Sequence, residues 1–409
     1  MSQVKFYIAP FDNLGAYTSY VDVTEDVSDS VGSITKKLDV SDFDLGTLRS
    51  SDISFRLRND NGNYSDIDGV ASIFKYKRSN SKVKVTWQIE DDIVECGYAV
   101  CGGASLSEEI TLFEGLLNDE TSKESLETSY IDFKALSFES LFDKEIIDTT
   151  DFDNGDTIAE VIYKMLSNNS NITSYLTVSS GNISYDTSNG AITIDDKTEL
   201  ENQTFSEAFS DLLAAGNSIM YLDDSTIYVT PRTATATVQY TFYGQASDNG
   251  IESVAKISKI SQGLNRTFNF ASWEDYSTPQ VNASSRSTYG TRKKEVGYDF
   301  ITTNGTKDII LNNTVDEFGD PKRELELTSP ITYNRLELGI LDRVNIDYPT
   351  PVFIAPGDTF PIFGVSKYGT GRFPFAEASL VLTTTDYFKI IGYKIDLKSE
   401  NIIFKLREI

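Results

Sequence analysis

The sequence contains no histidine. That absence removes the commonest general base near neutral pH, every Ser-His-Asp or Cys-His arrangement, and the most frequent zinc ligand. Cysteine is nearly as scarce, with Cys96 and Cys101 five apart in ECGYAVCGG. This spacing fits neither a CxxC redox pair nor the paired motifs of a zinc site, and two thiolates cannot close a four-ligand site. Two half-buried thiols or a local disulfide remain open, and no function rests on either. Cations are few: 36 Lys plus Arg against 62 Asp plus Glu leave a formal net charge of −26. A chain this negative gains little from counterion release on nucleic acid and is repelled by anionic lipid, so either partner would require a local basic patch. Phosphate cradles are missing as well. Neither GxGxxG nor GxxxxGKS/T occurs, and GVSKYGTGR follows no strand-to-helix switch. No apolar run approaches the length of about 18 residues that a spanning helix needs. The opening MSQVKFYIAP lacks the charged head and apolar run of a secretion signal. The expectation is a soluble protein made in the cytoplasm, in which triplets such as Asn182-Ile183-Ser184 carry no weight as glycosylation sites.

What is present supports packed cores: 39% of the residues are hydrophobic and 12% aromatic. At roughly 150 residues per domain, the length predicts two or three domains. The first part reads as strands. In Asp52 to Arg58, Ile53, Phe55 and Leu57 alternate with polar residues, NDNGNY turns the chain, and Lys82 to Ile89 repeats the pattern with Val83, Val85, Trp87 and Ile89. ITLFEGLLN and ETSYIDFKAL supply two more strands, and Phe138, Leu141, Phe142 and Ile146 stand at the spacing of a short closing helix.

The middle part changes character. Thr157 and Glu160 form a capping box before Ile158, Val161, Ile162, Met165 and Leu166; Thr204 and Glu207 repeat it before Phe205, Ala208, Phe209, Leu212 and Leu213, with Gly216 as the stop. SIMYL, a DDS turn and TIYVTPR then read as a hairpin. From about residue 235 strands return in TVQYTFYG, LNRTFNFA, VGYDFITT, DRVNIDY and the closing FKIIGYKIDL and NIIFKLREI, whose imperfect alternation predicts a bulge near Gly392. The fold class is therefore mainly β with an α+β insert. Its domains are an N-terminal strand-rich domain over 1–148, read as a small antiparallel barrel or sandwich, an α+β domain over 149–234 with two helices and a hairpin, and a second strand-rich domain over 235–409.

Without histidine, the remaining catalytic option is a carboxylate pair, as in glycoside hydrolysis. Asp91-Asp92, Asp195-Asp196 and Asp223-Asp224 all sit in turn-like polar surroundings, where solvated loop carboxylates are the rule. No catalytic, cofactor-binding or metal-binding residue is assigned. NDNGN fails as a calcium loop, because alignment on Gly62 puts Leu57 at the first ligand position; a hairpin turn explains it. Arg292, Lys293 and Lys294 form a short basic cluster without interleaved aromatics, which reads as a solvated loop or a protein contact rather than a nucleic-acid site.

The order of these segments resembles the tail hub proteins of tailed bacteriophages, also called baseplate hub or tail-tip proteins. The resemblance is carried by DISFRLRNDNGNYSD, by LFEGLLNDETSKESLETSYIDFKALSFESLFDKEI with its F-x-G strand, by DTIAEVIYKML, by TFSEAFSDLLAAGNSIMYLDDSTIYVTPR ending in a Pro-Arg pair, and by the last hairpin. The stretch from Ser272 to Glu324 matches no part of the family pattern. The resemblance implies a non-enzymatic virion protein, assembled in the host cytoplasm. It implies a homotrimer in which two tail-tube-like barrels per chain adapt a sixfold tube to threefold tip proteins. Implied partners are a distal tail or tube protein above, a tip, fibre or spike protein below, and a tape-measure protein in the channel. No cofactor, stable DNA binding or membrane anchor is expected. The family's added hydrolase domains and cluster-binding cysteines are absent from this sequence. Two rival readings remain: a carbohydrate- or receptor-binding module of a virion surface, which the 22 Tyr would suit, and a carboxylate-based glycosidase.

Overall fold

The computed structural model describes residues 3–12, 16–28, 32–37, 51–65, 72–76, 78–88, 109–118, 123–125, 129–223, 225–233, 235–243, 255–261, 266–353, 379–382 and 386–409. Cys96, Cys101, Ile89, Asp91-Asp92, Asp224 and the GVSKYGTGR segment lie outside them. The chain opens with the strands β1 (Gln3–Ala9), β2 (Val21–Asp22), β3 (Ser33–Lys37), β4 (Asp52–Arg58), β5 (Lys82–Gln88), β6 (Glu109–Leu117), β7 (Lys123–Ser125) and β8 (Tyr130–Ser137). All but β3 form one antiparallel sheet in the order β2-β1-β5-β6-β8-β4, with β7 beside β8. As the two-residue period predicts, Ile53, Phe55, Leu57, Val83, Val85 and Trp87 are buried on its inner face. The turn after β4 places Gly62 at φ +70°, where a side chain is rarely tolerated. It makes no hairpin, however, because β4 pairs with β8 and β5 with β1 and β6. The F-x-G glycine has a steric cause: a Cβ on Gly115 would lie 2.2 Å from the Leu136 carbonyl oxygen of β8. After β8 a single 3-10 turn, Phe138–Leu141, buries Phe138 and, just beyond it, Phe142. Ile146, expected on the same face, is instead 62% exposed, because the helix ends early and the extended chain bridges Thr204.

The middle unit follows its caps. Helix α1 (Ile158–Asn168) starts at the Thr157–Glu160 capping box and α3 (Phe205–Ala215) at Thr204–Glu207, each with both reciprocal hydrogen bonds, while the short α2 (Ser170–Thr173) intervenes. Gly216 ends α3, and Asn217 at φ +45° turns the chain into the hairpin β9 (Ser218–Asp223) and β10 (Thr226–Pro231). The apolar faces of α1 and α3 join Met220, Ile227 and Val229 of the hairpin in one cluster. This cluster reaches beyond 149–234, because Ala271, Trp273, Val296, Phe300, Ile301, Ile310 and Leu311 enter it.

Those late contributors belong to a small layer formed by β13 (Phe270–Trp273), β14 (Tyr276–Val281) and β15 (Lys293–Val296) together with α4 (Ala283–Tyr289) and α5 (Asn304–Phe318), which follow β11 (Val238–Tyr243) and β12 (Lys256–Ser261). Here the strands expected in LNRTFNFA and VGYDFITT are corrected. The first begins only at Phe270, and the second ends at Val296, after which a turn sends Phe300 and Ile301 into the middle core. β16 (Glu324–Pro330), α6 (Tyr333–Leu336), β17 (Arg343–Phe353), β18 (Ser379–Leu382), β19 (Tyr387–Asp396) and β20 (Asn401–Glu408) complete the chain. The second large sheet runs β11-β17-β19-β20-β16-β12, with β18 beside β17. Its register slips between Ile390 and Gly392, so the expected bulge is present.

The two large sheets repeat one strand order. The antiparallel neighbours β5·β6, β6·β8 and β8·β4 have counterparts in β17·β19, β19·β20 and β20·β16. Val27, just after β2, bridges Leu57 of β4 as β12 pairs with β16. The Val23 N–H donates to Phe6 O of β1, and the Ala255 N–H donates to Tyr243 O of β11. β11 lies beside β17 as β1 lies beside β5, but runs parallel to it. Both sheets curl into half-barrels, and their inner faces share one apolar cluster that includes Phe6, Phe133, Val344 and Phe404.

Candidate assembly site

Three joints fix the barrels and the middle unit to one another. The first is a strand exchange. Along one edge β19 pairs with β17 over Tyr387–Lys389 and then with β3 over Gly392–Asp396, so the N-terminal segment supplies a strand to the second sheet. Ile34 of β3, opposite Ile395, is fully buried. Gly32 leads into this strand past β4, where a Cβ would come within 3.0 Å of Ser54 O.

The second joint is ionic and buried. Arg232, directly after β10, offers its carbonyl to Lys389 Nζ at 2.7 Å, and the same ammonium donates to Glu317 Oε1 of α5 at 2.9 Å. Arg407 Nη1 of β20 lies 3.7 Å from that oxygen. The Phe318 ring lies under the guanidinium groups of Arg407 and Arg232, at 4.9 and 5.9 Å. Burial alone would raise the Glu317 carboxyl, but Lys389, Arg407 and Arg232 outweigh it and hold it below the usual carboxylate range. Burial lowers the Lys389 ammonium and brings the Arg232 guanidinium down to about 10. Beside this cluster, Arg323 is shared between Asp386 and Glu408.

The third joint ties the first barrel to the middle unit. Lys82 Nζ of β5 sits among the rings of Tyr17, Tyr175 and Phe138 at 4.8, 5.7 and 5.8 Å, an aromatic cage for a cation. Glu114 of β6 accepts from Tyr20 OH at 2.8 Å and from Ser225 Oγ in the β9–β10 turn at 2.7 Å.

Of the carboxylates considered from sequence, Asp195 and Asp196 have structural partners. Asp195 Oδ2 accepts from the Thr302 and Thr303 N–H groups at 2.7 and 2.8 Å, binding the entrance of α5 to the middle unit. Asp196 caps a 3-10 turn through the side chain and N–H of Thr198, which hold its carboxyl below the usual range. Asp223 is exposed at the end of β9. Lys293 and Lys294 lie in β15 rather than in a loop; Lys293 pairs with Glu295 at 3.5 Å, Lys294 sits 6.0 Å over Phe268, and the Arg292 N–H donates to Asn269 Oδ1. A lysine on one edge and Pro279 within β14 on the other discourage further strands from adding to this sheet. Among the described residues no group of three or more Cys, Asp or Glu side chains is placed to hold a metal ion, and no helix is long and apolar enough to cross a membrane. The buried charge cluster and the β3 exchange were not found from sequence, since each joins residues with no local pattern.

No protein-family model matches the chain, and no curated protein sequence does. Solved structures do, end to end. The tail protein from Neisseria meningitidis MC58 is similar with a TM-score of 0.51 at 10% identity, covering 100% of this chain and 96% of its own. Prophage tail protein gp18 from Listeria monocytogenes EGD-e gives 0.52 at 11%, covering 98% of this chain and 94% of its own. The 43 kDa tail protein of prophage MuSo2 from Shewanella oneidensis gives 0.50 at 11%, covering 98% and 97%. The architecture built above, two curled sheets with an α+β unit between them, is therefore the fold seen in these tail proteins.

Proposed function

We propose that the chain is a structural component of a bacteriophage tail, and within it the homotrimeric hub of the tail tip or baseplate. The observation that carries this reading is the repeated strand order of the two half-barrels, within a fold shared over the whole chain with tail proteins. Two similar barrels in each of three chains provide six similar edges. A ring of that kind mates with a sixfold tube on one face and with threefold tip proteins on the other. A distal tail or tube protein lies above it, a tip, fibre or spike protein below, and the tape-measure protein in its channel. Three chains of −26 carry about −78, a charge that lets duplex DNA pass without adhering. The three joints suit this role, because a load-transmitting ring needs its barrels held in fixed relation. No catalytic step is part of it.

Sedimentation of the purified chain, followed by electron microscopy of the particles, tests the proposal. A threefold ring with six peripheral lobes is expected. A monomer at high concentration that binds saccharides would instead favour a carbohydrate- or receptor-binding module and overturn the hub.

A further inference from the structure

We propose that the buried charge cluster between the β9–β10 hairpin, α5 and the β19–β20 pair binds a small monovalent anion, held by the side chains of Arg232 and Arg407. This does not depend on the hub reading. Three cations converge there, and all are more than nine-tenths buried: Arg232 is 6% exposed, Lys389 7% and Arg407 3%. Among the described residues a single carboxylate, Glu317, contacts them. Its Oε1 is taken at 2.9 Å by Lys389, while Arg407 stands at 3.7 Å, beyond hydrogen-bond length.

Neither guanidinium donates a hydrogen bond to any described residue, and Arg232 Nε is enclosed without an acceptor. The Phe318 ring, 4.9 Å from the Arg407 guanidinium and 5.9 Å from that of Arg232, attracts cations but offers no lone pair. The other groups near the cluster do not supply the missing charge. The Tyr298 hydroxyl is held neutral by burial, and Arg323 already takes up Asp386 and Glu408. Among the described residues the result is a site with three positive charges, one negative charge and guanidinium N–H groups without an acceptor. A buried charge without compensation is strongly destabilising, and an entering anion supplies both the charge and the acceptor. The burial of Arg232 and Arg407 favours a compact, easily desolvated ion of halide kind over a strongly hydrated one.

The test uses the full chain. Thermal unfolding is followed at constant ionic strength with chloride exchanged for gluconate, and crystals are grown in bromide for anomalous scattering. Chloride should raise the midpoint of the native protein by about 2 to 4 °C over gluconate, Arg232→Met should lose that gain, and a bromide peak should lie in contact with both guanidinium groups. Equal midpoints in the two salts, an undiminished chloride gain in Arg232→Met, or ordered water in place of bromide would each overturn the proposal. If Arg232→Met does not fold, the bromide map of the native protein decides alone.

Discussion

Lys389 and Arg407 stand directly opposite each other across the β19–β20 ladder, both buried, and the Glu317 carboxylate reaches in from α5 to meet them. Like charges at opposed positions in a sheet repel, so the pair depends on that carboxylate. Glu317→Gln removes it and leaves the cations buried, at an expected cost of about 3–5 kcal/mol in urea unfolding. The pH dependence follows from the lowered Glu317 carboxyl. The unfolded chain, with an ordinary carboxylate near about 4.3, binds this proton more readily than the folded one. The contribution is complete above that value and disappears as pH falls through the folded one. Native protein should therefore lose stability on acidification more steeply than Glu317→Gln, and parallel acid profiles would refute the role given to this group.

Gly115 is fixed by backbone approach. With the Leu136 carbonyl 2.2 Å from where a Cβ would stand, Gly115→Ala must push β6 away from β8. A loss of at least about 1–3 kcal/mol is expected from such overpacking. An unchanged unfolding midpoint for the variant would show that the sheet yields there freely.

Phe209 of α3 is fully buried, with its ring 5.4 Å from that of Phe142 and 5.6 Å from that of Phe205. Phe209→Ala should cost about 3–5 kcal/mol. A calorimetric midpoint equal to that of the native protein would contradict the packing described.

Where local pattern and tertiary role agree, the sequence was legible. The two capping boxes, the β9–β10 hairpin and the slip near Gly392 are each set by residues within a few positions of one another, and all are present as read. Helix α5 was hidden for the opposite reason. It buries Thr306, Asn313 and Thr314 beside Ile310 and Leu311, so no apolar stripe marks its inner face. Asn313 finds its partner in Asn189, 124 positions away. β3 was hidden because SITKK contains one apolar residue, too few to show a period. The charge cluster was invisible because Lys389 sits between Phe388 and Ile390 in an ordinary strand pattern, and only the fold brings Glu317 to it.

The β3 exchange makes a prediction about where a mutation is felt. Ile34 lies in the N-terminal part of the chain but packs into the second sheet. Ile34→Ala should cost about 2–5 kcal/mol. Its first sign should be faster hydrogen exchange at Gly392–Asp396 of β19, the segment that β3 covers. If exchange rose only in β1 to β8, the crossing strand would not be stabilising the second sheet.

The placement of charge separates a DNA conduit from a DNA-binding protein. Arg292, Lys293 and Lys294 form the one basic run singled out from sequence; Lys293 meets Glu295, Lys294 lies over Phe268, and the backbone of Arg292 closes onto Asn269 and Phe270. A net charge of −26 per chain surrounds them. Binding to duplex DNA would require enough free cations to displace condensed counterions, and its affinity would then fall steeply with salt. Filter binding across a salt series is expected to show no retention of duplex at physiological salt and no steep salt dependence below it. Replacing all three residues by Ala should leave that result unchanged. Tight, salt-sensitive retention that disappears in the triple variant would make this run a nucleic-acid contact and would remove the electrostatic argument for a non-adhering channel.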